Sequence, residues 1–560
     1  MIDFSIEDRT LGRLLGKAAE QQPEWPFILH RNETVSYAEM DRLTNQLSEG
    51  LRQWGVTRGS RVALILHNSP QYLITLFAIA KLGALNVPIN TAARGDLLRY
   101  YLKDAGCSHA IVQDSCRGVL AEAWPEMEIP FATLSSDDSQ VKYPGASWSD
   151  LLADGQAMRN NPPDVILHGW DPWLILYTSG TTGPSKGSIC PQAQSLTIGR
   201  TQSTRMELTP HDRLYTCLPL FHGNALNYSS MTALWGRSTI ALETRFSASR
   251  FWPDVHKYGA TQFNAMMIVT SILEKLPVTP QEANNPIRQA VLVPPPLNRR
   301  QLEERWNLKI LSQYALSEAC PVVVLAAGEA YDKPRTSGRA ADNIELRIVD
   351  EHDRPLPNGS AGEIIIRPRE PWTMLTAYNG KSEATANAFK NLWFHTGDRA
   401  YLDNEGYLFF VDRVKDAIRR RGENISAFEI EMVLKGHTGV MEVAAVPAPS
   451  DMGEDEVVVF VVKAQSDMSE RDVIEYAIMH MAYYMVPRYV HFMDDLPKTP
   501  SEKVSKVDLR EIAKTSYNQM WDREAHGISV TRFSAQQRTS NTIPKLPSVI
   551  NADVAPKLDA

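Results

Sequence analysis

Cysteine is scarce in this chain of 560 residues, and its five copies lie far apart. They form no CxxC pair and no Cys/His cluster with the spacing of a zinc site. The odd count and the wide spacing exclude a disulfide framework and favour reduced thiols. The cysteines are Cys107, Cys116, Cys190, Cys217 and Cys320.

An excess of positive charge and a long hydrophobic run are also missing. The formal net charge is −8, which provides no global attraction to nucleic acid or anionic lipid, so we expect no nucleic-acid partner. The most apolar stretch, residues 72–88, is interrupted by Lys81 and Gly83 and is too short to cross a bilayer. Residues 1–9 are acidic and lack the apolar centre of a signal peptide. We therefore expect a cytoplasmic protein without a transmembrane segment.

The chain does have the composition of an ordinary globular protein, with 43% apolar and 22% charged residues. Helical periodicity at residues 39–54 and 71–82 alternates with short apolar runs at 61–66 and 86–89. Such alternation is typical of an α/β domain with a parallel sheet. From about residue 340, short strands follow one another without helices between them.

These changes in pattern predict the domain organisation. We expect a large N-terminal domain over residues 1–412, in which residues 340–412 form a β-rich subdomain. A small, mobile α+β domain is expected over residues 413–525. Residues 526–560 have little periodicity and are predicted to form a flexible tail.

The segment LYTSGTTGPSKG at residues 176–187 is predicted to leave a strand as a loop. Its glycines permit tight turns whose amides can point at one anion, its hydroxyls add donors, and Lys186 adds a positive charge. A kinase-type or motor-type phosphate loop needs Gly-Lys-Ser/Thr, whereas Gly187 follows the lysine here. The segment therefore predicts a polyphosphate cradle of another type, formed by Thr178, Ser179, Gly180, Thr181, Thr182, Gly183 and Lys186.

This segment resembles the phosphate-loop signature of the acyl-adenylate-forming superfamily: acyl-CoA synthetases, adenylation domains of peptide synthetases, and firefly-type luciferases. The resemblance extends from about residue 36 to about residue 506, and its motifs occur in the family's order. Residues 412–426 and 498–506 are most similar to crotonobetaine/carnitine–CoA ligases and related acyl-CoA ligases. The further motifs are Ser36–Met40, Leu82–Asn90, Leu218–His222, Tyr314–Glu318, Phe394–Asp398, Val411–Asn424 and Leu496–Lys503.

The resemblance implies a site for ATP and Mg²⁺. Glu318 would serve the ATP-bound magnesium, which prefers oxygen ligands. Tyr314 would stack on adenine, and Asp398 and Arg413 would hold the ribose hydroxyls. The residues that the resemblance assigns to ATP and AMP beyond the loop are Gln313, Tyr314, Ala315, Leu316, Ser317, Asp398, Arg413 and Asn424.

The resemblance also implies catalytic roles for Lys503, Glu318 and His222. When a carboxylate attacks the α-phosphate, two anions meet, and Lys503 would stabilise the charge that develops there. His222 would line the place where carboxylate, thiol and phosphate meet, as a gate or positioner rather than a base. Lys415 would be the hinge at which the small domain rotates between two half-reactions.

Two further groups of residues concern the acid and the thiol. The arginines before Gly422 allow two interpretations. They form a solvated charged face, or Arg420, Arg421 and Gly422 contact the phosphates of CoA. The acyl pocket implied by the resemblance offers neutral hydrogen bonds and an adaptable apolar wall. Its candidates are Asn227, Tyr228, Asn264, Met266 and Met267.

The sequence departs from the family pattern at three places. Residues 293–297 read VPPPL where a Gly-Ala-Pro segment usually precedes the adenine site, and Ala315 replaces the glycine of a Tyr-Gly motif. Both positions border the acyl pocket in the family, so we expect a pocket of different shape. Glu502 replaces a glycine beside Lys503, which bears on the local backbone.

The resemblance predicts a carboxylate–CoA ligase that forms acyl-AMP and pyrophosphate from ATP and then transfers the acyl group to CoA. No Asp stands in the pocket segments to pair an α-amino group, so the expected acid lacks one and is short, medium or aromatic. The alternatives are an adenylation enzyme that loads a carrier protein, a luciferase-like oxygenase, and a non-catalytic nucleotide-binding relative. The sequence does not determine the oligomeric state, and a homodimer remains one option.

Overall fold

The structure is a computed structural model that describes most of the chain. The described residues are 4–93, 95–123, 129–135, 146–156, 161–178, 185–413, 417–420, 423–449, 455–465, 467–481, 485–499 and 503–530. A search of these ranges finds no helix with the length and apolar character that a membrane span requires.

The α-helices of the described ranges are bounded as follows: α1 Leu11–Gln21, α2 Tyr37–Gln53, α3 Pro70–Lys81, α4 Gly95–Ala105, α5 Arg117–Ala123, α6 Trp148–Asp154, α7 Gln192–Arg205, α8 Thr232–Gly236, α9 Phe251–Tyr258, α10 Met267–Lys275, α11 Pro280–Ala283, α12 Arg299–Trp306, α13 Ser382–Ala388, α14 Ala427–Lys435, α15 Glu470–His480 and α16 Lys506–Ser516. A π-helix covers Asn224–Met231. Short 3₁₀ turns cover Asp114–Cys116 and Tyr517–Gln519.

The strands are β1 Pro26–His30, β2 Glu33–Ser36, β3 Arg61–Ile65, β4 Leu85–Pro88, β5 His109–Gln113, β6 Phe131–Leu134, β7 Ala146–Ser147, β8 Pro172–Tyr177, β9 Gly187–Pro191, β10 Arg213–Thr216, β11 Thr239–Leu242, β12 Gln262–Met266, β13 Gln289–Val293, β14 Lys309–Tyr314, β15 Val323–Leu325, β16 Gly338–Ala340, β17 Ile344–Val349, β18 Gly362–Pro368, β19 Ala377–Tyr378, β20 Phe389–Lys390, β21 Trp393–Leu402, β22 Tyr407–Arg413, β23 Ala417–Arg420, β24 Glu423–Ser426, β25 Val440–Pro449, β26 Asp455–Lys463, β27 Tyr489–Met493 and β28 Trp521–Asp522.

The N-terminal part of the chain contains two sheets. The smaller has the order β19-β9-β8-β4-β3-β5-β6-β7, with parallel pairing from β8 to β7 and antiparallel pairing at β9 and β19. The larger is parallel from β1 through β11, β10, β12 and β13 to β14, and antiparallel from β14 to β17. The predicted α/β class is confirmed. The strands after residue 340 continue the larger sheet rather than forming one of their own.

Helix α3 illustrates why the apolar stretch near residue 80 is a buried helix. Ser69 caps the helix by accepting a hydrogen bond from the Tyr72 N–H, and Pro70 occupies the first turn, where no amide donor is needed. Nearly every side chain of α3 is buried. Lys81 is buried too, and its ammonium donates to Asp41, Thr44 and Asn45, so the charge that interrupts the run is neutralised internally.

The chain divides into two compact units. The first comprises Met1–Val414 together with Lys498–Lys503, and the second comprises Lys415–Pro497 together with Val504–Ala560. The second unit contains the sheet β25-β26-β27-β28, the hairpin β23-β24, and helices α14 to α16. Val530 packs into its core, so the described chain beyond residue 525 belongs to this unit. Most of the predicted tail lies outside the described residues.

The five cysteines are all free and all buried. Burial is the main cause that raises the pKa of the Cys107, Cys217 and Cys320 thiols to about 12. Burial also raises the pKa of the Cys190 thiol, and the nearby Glu318 carboxylate raises it further. These cysteines are therefore packing residues of the core.

Candidate active site

The segment predicted to bind a polyphosphate leaves β8, as the sequence predicts, and returns on β9. The two strands pair in antiparallel register up to Tyr177 and Gly187. Beyond that pair, the Thr178 N–H donates to the Lys186 carbonyl over 2.9 Å, and the Lys186 N–H donates to Thr178 Oγ1 over 3.4 Å. Thr178 and Lys186 therefore close the base of the loop. The other predicted members of the cradle, Ser179, Gly180, Thr181, Thr182 and Gly183, lie outside the described residues.

Helix α4 supports this base through residues that the sequence analysis missed. The Tyr100 hydroxyl donates to the Ser185 carbonyl over 2.7 Å. The Tyr177 hydroxyl donates to Asp104 Oδ2 over 2.9 Å. At the first residue of β9, a Cβ on Gly187 would stand 2.6 Å from Ile175 Cγ2, so only glycine fits that position. The loop thus starts and ends on a rigid hairpin that is buttressed from α4.

Tyr378 connects the predicted phosphate-binding lysine with the predicted magnesium ligand. The Lys186 ammonium lies 4.4 Å from the centroid of the Tyr378 ring, within the range of a cation–π interaction. The Tyr378 hydroxyl donates to Glu318 Oε1 over 2.8 Å. Burial, followed by the Glu318 carboxylate, raises the pKa of Tyr378 far above its usual value, so the hydroxyl stays protonated and remains a donor. Tyr378 itself is fixed because β19 pairs with β9 opposite Ser188.

Glu318 suits a magnesium ion that arrives with a nucleotide. Magnesium keeps several waters and usually takes one or two carboxylates together with substrate phosphates. In the part of the chain that the structure describes, no group of three or more His, Cys, Asp or Glu side chains could hold a metal by itself. A single carboxylate near Lys186 at the base of the loop fits that pattern of shared coordination.

Tyr314 and Asp398 are hydrogen-bonded although three strands, β22, β16 and β15, lie between β21 and β14 in the order of the larger sheet. Tyr314 ends β14, and its hydroxyl donates to Asp398 Oδ2 on β21 over 2.6 Å. Asp398 is buried, and its backbone pairs with Arg413 across β21 and β22. The residue before it, Gly397, has φ 71°, a conformation that favours glycine and turns the strand at this point. Arg413 is described only through its backbone.

Four of the remaining residues predicted to contact the nucleotide are neighbours of Tyr314 in the sequence: Gln313, Ala315, Leu316 and Ser317. Gln313 is buried, and its side-chain oxygen accepts from Gln202 Nε2 over 2.7 Å and from Arg205 Nη1 over 3.0 Å. The Ser317 carbonyl accepts from Gln194 Nε2 over 3.2 Å. Ala315 packs on a small cluster of Ile198, Tyr228 and Cys320, and Leu316 packs on the core of the antiparallel strands. Their nucleotide contacts stay predictions, as does that of Asn424, whose backbone alone is described.

His222 is a neutral imidazole in this structure. Burial, and then the positive charge of Lys503, lowers the pKa of His222 to about 4. Its Nε2 is buried without a hydrogen-bond partner among the described residues. Lys503 belongs to the Lys498–Lys503 segment that groups with the first unit, and its N–H donates to Thr499 Oγ1 over 3.2 Å. The charge of Lys503 therefore acts on His222, and the resemblance implies a catalytic role for each of these two residues.

The predicted acyl-pocket residues lie on three elements, the π-helix, β12 and α10. Asn227 and Tyr228 stand on the π-helix, a geometry that is frequent at functional sites. Asn264 stands on β12 and donates from Nδ2 to the Tyr228 carbonyl and to Ser229 Oγ, which joins the strand to the π-helix. Met266 ends β12, and Met267 begins α10. The structure thus brings the five predicted residues into one neighbourhood.

Of the three residues predicted to contact CoA, the structure describes only Arg420. Arg420 is 2% exposed, its Nε lies 2.7 Å from Glu456 Oε2, and its Nη1 donates to the Val486 carbonyl over 3.0 Å. All three residues belong to the second unit, where the guanidinium is engaged internally. Arg421, Gly422 and the predicted hinge Lys415 lie outside the described residues, so their roles stay predictions.

Two models of known protein families match this chain. The AMP-binding enzyme family model matches residues 15–376, and the model of the AMP-binding enzyme C-terminal domain matches residues 429–503. The chain is 29% identical to the crotonobetaine/carnitine–CoA ligase of Salmonella heidelberg, over 85% of this chain and 93% of that ligase. It is also 29% identical to the long-chain-fatty-acid–CoA ligase FadD13 of Mycobacterium tuberculosis, over 90% and 98%.

Among solved structures, the o-succinylbenzoate CoA synthetase MenE of Bacillus subtilis, in complex with its acyl-adenylate intermediate, superposes with a TM-score of 0.77 at 23% identity, covering 89% of this chain and 97% of that one. The same synthetase matches equally well in complex with ATP and a magnesium ion. At this identity the likeness concerns the fold, which the two proteins share.

Proposed function

Because the chain belongs to the AMP-binding enzyme family, we propose that it is an ATP-dependent carboxylate–CoA ligase. In the first half-reaction, a carboxylate oxygen attacks the α-phosphorus of ATP, and pyrophosphate leaves. In the second, the thiol of CoA attacks the acyl carbon, and AMP leaves. The observation that supports this most directly is the Lys186–Tyr378–Glu318 arrangement at the base of the polyphosphate loop.

The first half-reaction requires that negative charge be held in place. Lys186 and the loop amides would bind the β- and γ-phosphates, which leave as pyrophosphate. Glu318 would bind magnesium, which screens the phosphate charge when it is bound with ATP. Tyr314 and Asp398 would place adenine and ribose, and with them the α-phosphate. Lys503 would stabilise the charge that arises only in the transition state.

The second half-reaction requires that the thiol reach the acyl carbon. His222 is neutral, because burial and Lys503 hold its pKa near 4. Without a positive charge, the imidazole does not attract a carboxylate. A neutral imidazole suits a gate between the acyl and thiol sites better than it suits a general base with a pKa near 7. Withdrawal of Lys503 by a hinge at Lys415 would then open the path to CoA.

The alternative acceptor is the phosphopantetheine thiol of a carrier protein, and both acceptors use the same first half-reaction. We propose CoA because the curated relatives reported above are named as CoA ligases. The proposed partners are accordingly ATP, CoA and a small carboxylic acid. A cytoplasmic location, where ATP and CoA are available, follows as a proposal. A homodimer stays a prediction that analytical ultracentrifugation can test.

The deciding experiment measures pyrophosphate release and thioester formation over a panel of carboxylic acids, with and without CoA. We expect one class of acid to give acyl-AMP alone without CoA, and acyl-CoA with stoichiometric AMP when CoA is added. Turnover only with free amino acids and without an effect of CoA would overturn the ligase and favour carrier loading.

A further inference from the structure

The wall of the candidate acyl pocket contains buried polar atoms without partners. Asn227 is 6% exposed, Tyr228 is 7% exposed, and Asn264 is 5% exposed. Within the described residues, Asn227 Oδ1, Tyr228 Oη and Asn264 Oδ1 have no hydrogen-bond partner. The same holds for Asn224 Oδ1 and His222 Nε2, which lie on and just before the π-helix.

Such a concentration is unusual for a folded protein. Nine in ten or more of buried polar groups are hydrogen-bonded, and each one that is not destabilises the fold. Three such side chains with more than nine-tenths of their surface buried, on two adjoining elements, indicate a place where a ligand supplies the missing partners. The π-helix supports this interpretation, because π-helical turns are rare and frequently occur at functional sites.

Existing bonds determine which kind of partner is missing. Asn264 uses Nδ2 to donate to both the Tyr228 carbonyl and Ser229 Oγ, so the atom left over is its acceptor, Oδ1. Asn224 uses Nδ2 to donate to Met266 Sδ over 3.4 Å, which again leaves Oδ1. Asn264 and Asn224 therefore present acceptors, Asn227 adds a third through its unpartnered Oδ1, and an acceptor requires a donor on the ligand.

The other groups of the wall define the charge of that donor. None of these five residues is an Asp or a Glu, so a buried ammonium would find no counter-ion among them and would be costly to desolvate. The nearby Arg205 guanidinium would repel a second cation, which also favours an uncharged donor. Burial raises the pKa of Tyr228 well above its usual range, so its hydroxyl is uncharged and can donate or accept.

We propose that the acid activated by this protein carries an uncharged hydrogen-bond donor, a hydroxyl or a neutral N–H, on its acyl group, and that Asn227 and Asn264 accept from it. This inference rests on the proposed ligase function and narrows its substrate class. Met266 and Met267 supply the apolar contact for the carbon skeleton around that donor. An unsubstituted acid of the same skeleton would leave the acceptors unpaired.

The enzyme should therefore discriminate strongly between an acid that carries the donor and the same acid without it. A site built to hydrogen-bond a substrate O–H or N–H can reject an analogue without it by factors of roughly 10⁴–10⁵, because the buried partners remain unsatisfied. Water can occupy part of the wall and reduce that factor. We therefore expect at least about 100-fold between the matched acids in kcat/KM.

The test compares acids that differ in one group. Benzoate is measured beside its three hydroxy, three amino and three methoxy isomers, and butyrate beside 3-hydroxybutyrate and 4-hydroxybutyrate, in pyrophosphate release and acyl-CoA formation. We expect one hydroxy or amino isomer to exceed its parent at least 100-fold, and its methoxy counterpart, which only accepts, to resemble the parent. Equal or better turnover of the parents would overturn the inference alone. Absence of turnover with every carboxylic acid would overturn the ligase function, and the inference with it.

Variants of Asn227 give a second readout that a purely structural role would not produce. Asn227→Leu should reduce the ratio of kcat/KM between the preferred acid and its parent at least 10-fold, mainly by loss of the preferred acid. Asn227→Asp should gain turnover with an acid whose side chain bears an ammonium. Ser230→Ala is the matched control, because Ser230 lies buried on the same π-helix but already donates to the Ala225 carbonyl. An unchanged ratio in Asn227→Leu, with thermal stability retained, would contradict the inference.

Discussion

The Tyr378 hydroxyl donates to Glu318 Oε1 over 2.8 Å, so a residue from a two-residue strand fixes the carboxylate that we assign to magnesium. Tyr378→Phe removes this hydrogen bond but keeps the ring beneath Lys186. A hydrogen bond to a charged group is worth about 1.5–3 kcal/mol, which corresponds to roughly a 10- to 100-fold loss in kcat/KM for MgATP.

The magnesium dependence separates a positioning role from a structural one. In Tyr378→Phe, the concentration of Mg²⁺ at half-maximal pyrophosphate release should rise, while the KM for the acid should stay within about twofold. Tyr378→Leu, which also loses the cation–π contact, should show a larger loss. An unchanged magnesium dependence in Tyr378→Phe would contradict this role.

Lys186→Ala should weaken pyrophosphate release at fixed acid and ATP, chiefly through a higher KM for ATP, because the cation that meets the leaving phosphates is removed. The variant should fold normally, since the loop base is also held by the Thr178 N–H and by Tyr100. Lys309→Ala, at an exposed position of β14, is the control for a generic loss of positive charge. Full adenylation by Lys186→Ala would remove the polyphosphate role.

Lys503→Ala should separate the two half-reactions. Formation of acyl-AMP should fall by two orders of magnitude or more, since the lysine stabilises charge that exists only in that transition state. Conversion of supplied acyl-AMP to thioester should persist. Lys498→Ala, five residues earlier in the same motif, is the comparison variant. An equal loss in both steps would make Lys503 a structural residue.

The pH dependence of stability should report His222. Its pKa is about 4 in the folded protein and near 6.5 in the unfolded chain, so the unfolded state binds more protons between these values. Stability is therefore complete above pH 6.5 and falls as the pH drops towards 4, by on the order of 3 kcal/mol. His222→Gln should lose this part of the slope in melting temperatures measured from pH 7.5 to 4.5. Parallel slopes for the two proteins would contradict a buried neutral imidazole.

Lys415→Pro tests the hinge, because proline fixes φ at one value while rotation needs a change in backbone torsion. Adenylation should survive better than thioester formation, as measured by the ratio of acyl-AMP to acyl-CoA in single turnovers. The reverse ratio would discard Lys415 as the hinge.

The sequence predicts the fold where local patterns and tertiary demands coincide. The helix expected at residues 71–82 is observed at Pro70–Lys81, because its start signals and its apolar sides agree. Likewise the hairpin expected near residues 401–411 pairs β21 with β22. Patterning could not show that the antiparallel strands join the larger sheet, since that continuity depends on the short strands β15 and β16.

The sequence predicts the site residues that stand in a family motif. It does not predict residues that reach the site only through a tertiary contact. Lys186, Glu318 and Asp398 stand in motifs. Tyr378 is a single aromatic residue in a turn-rich segment, and only the pairing of β19 with β9 brings it to Lys186. Arg420 is a residue whose environment the pattern does not predict. A run of basic residues suggests an exposed face, whereas the Arg420 guanidinium is buried against Glu456.

The burial of the five cysteines has a practical consequence for measuring the second half-reaction. Thiol reagents react with thiolates, and burial keeps the Cys107, Cys217 and Cys320 thiols protonated far above neutral pH. A chromogenic disulfide added to an aliquot of the reaction mixture should therefore count the remaining free CoA and leave the folded enzyme unlabelled. Because the reagent itself consumes CoA, the disappearance of CoA is followed in aliquots withdrawn over time, and a slow further reaction within an aliquot would record protein thiols exposed by unfolding.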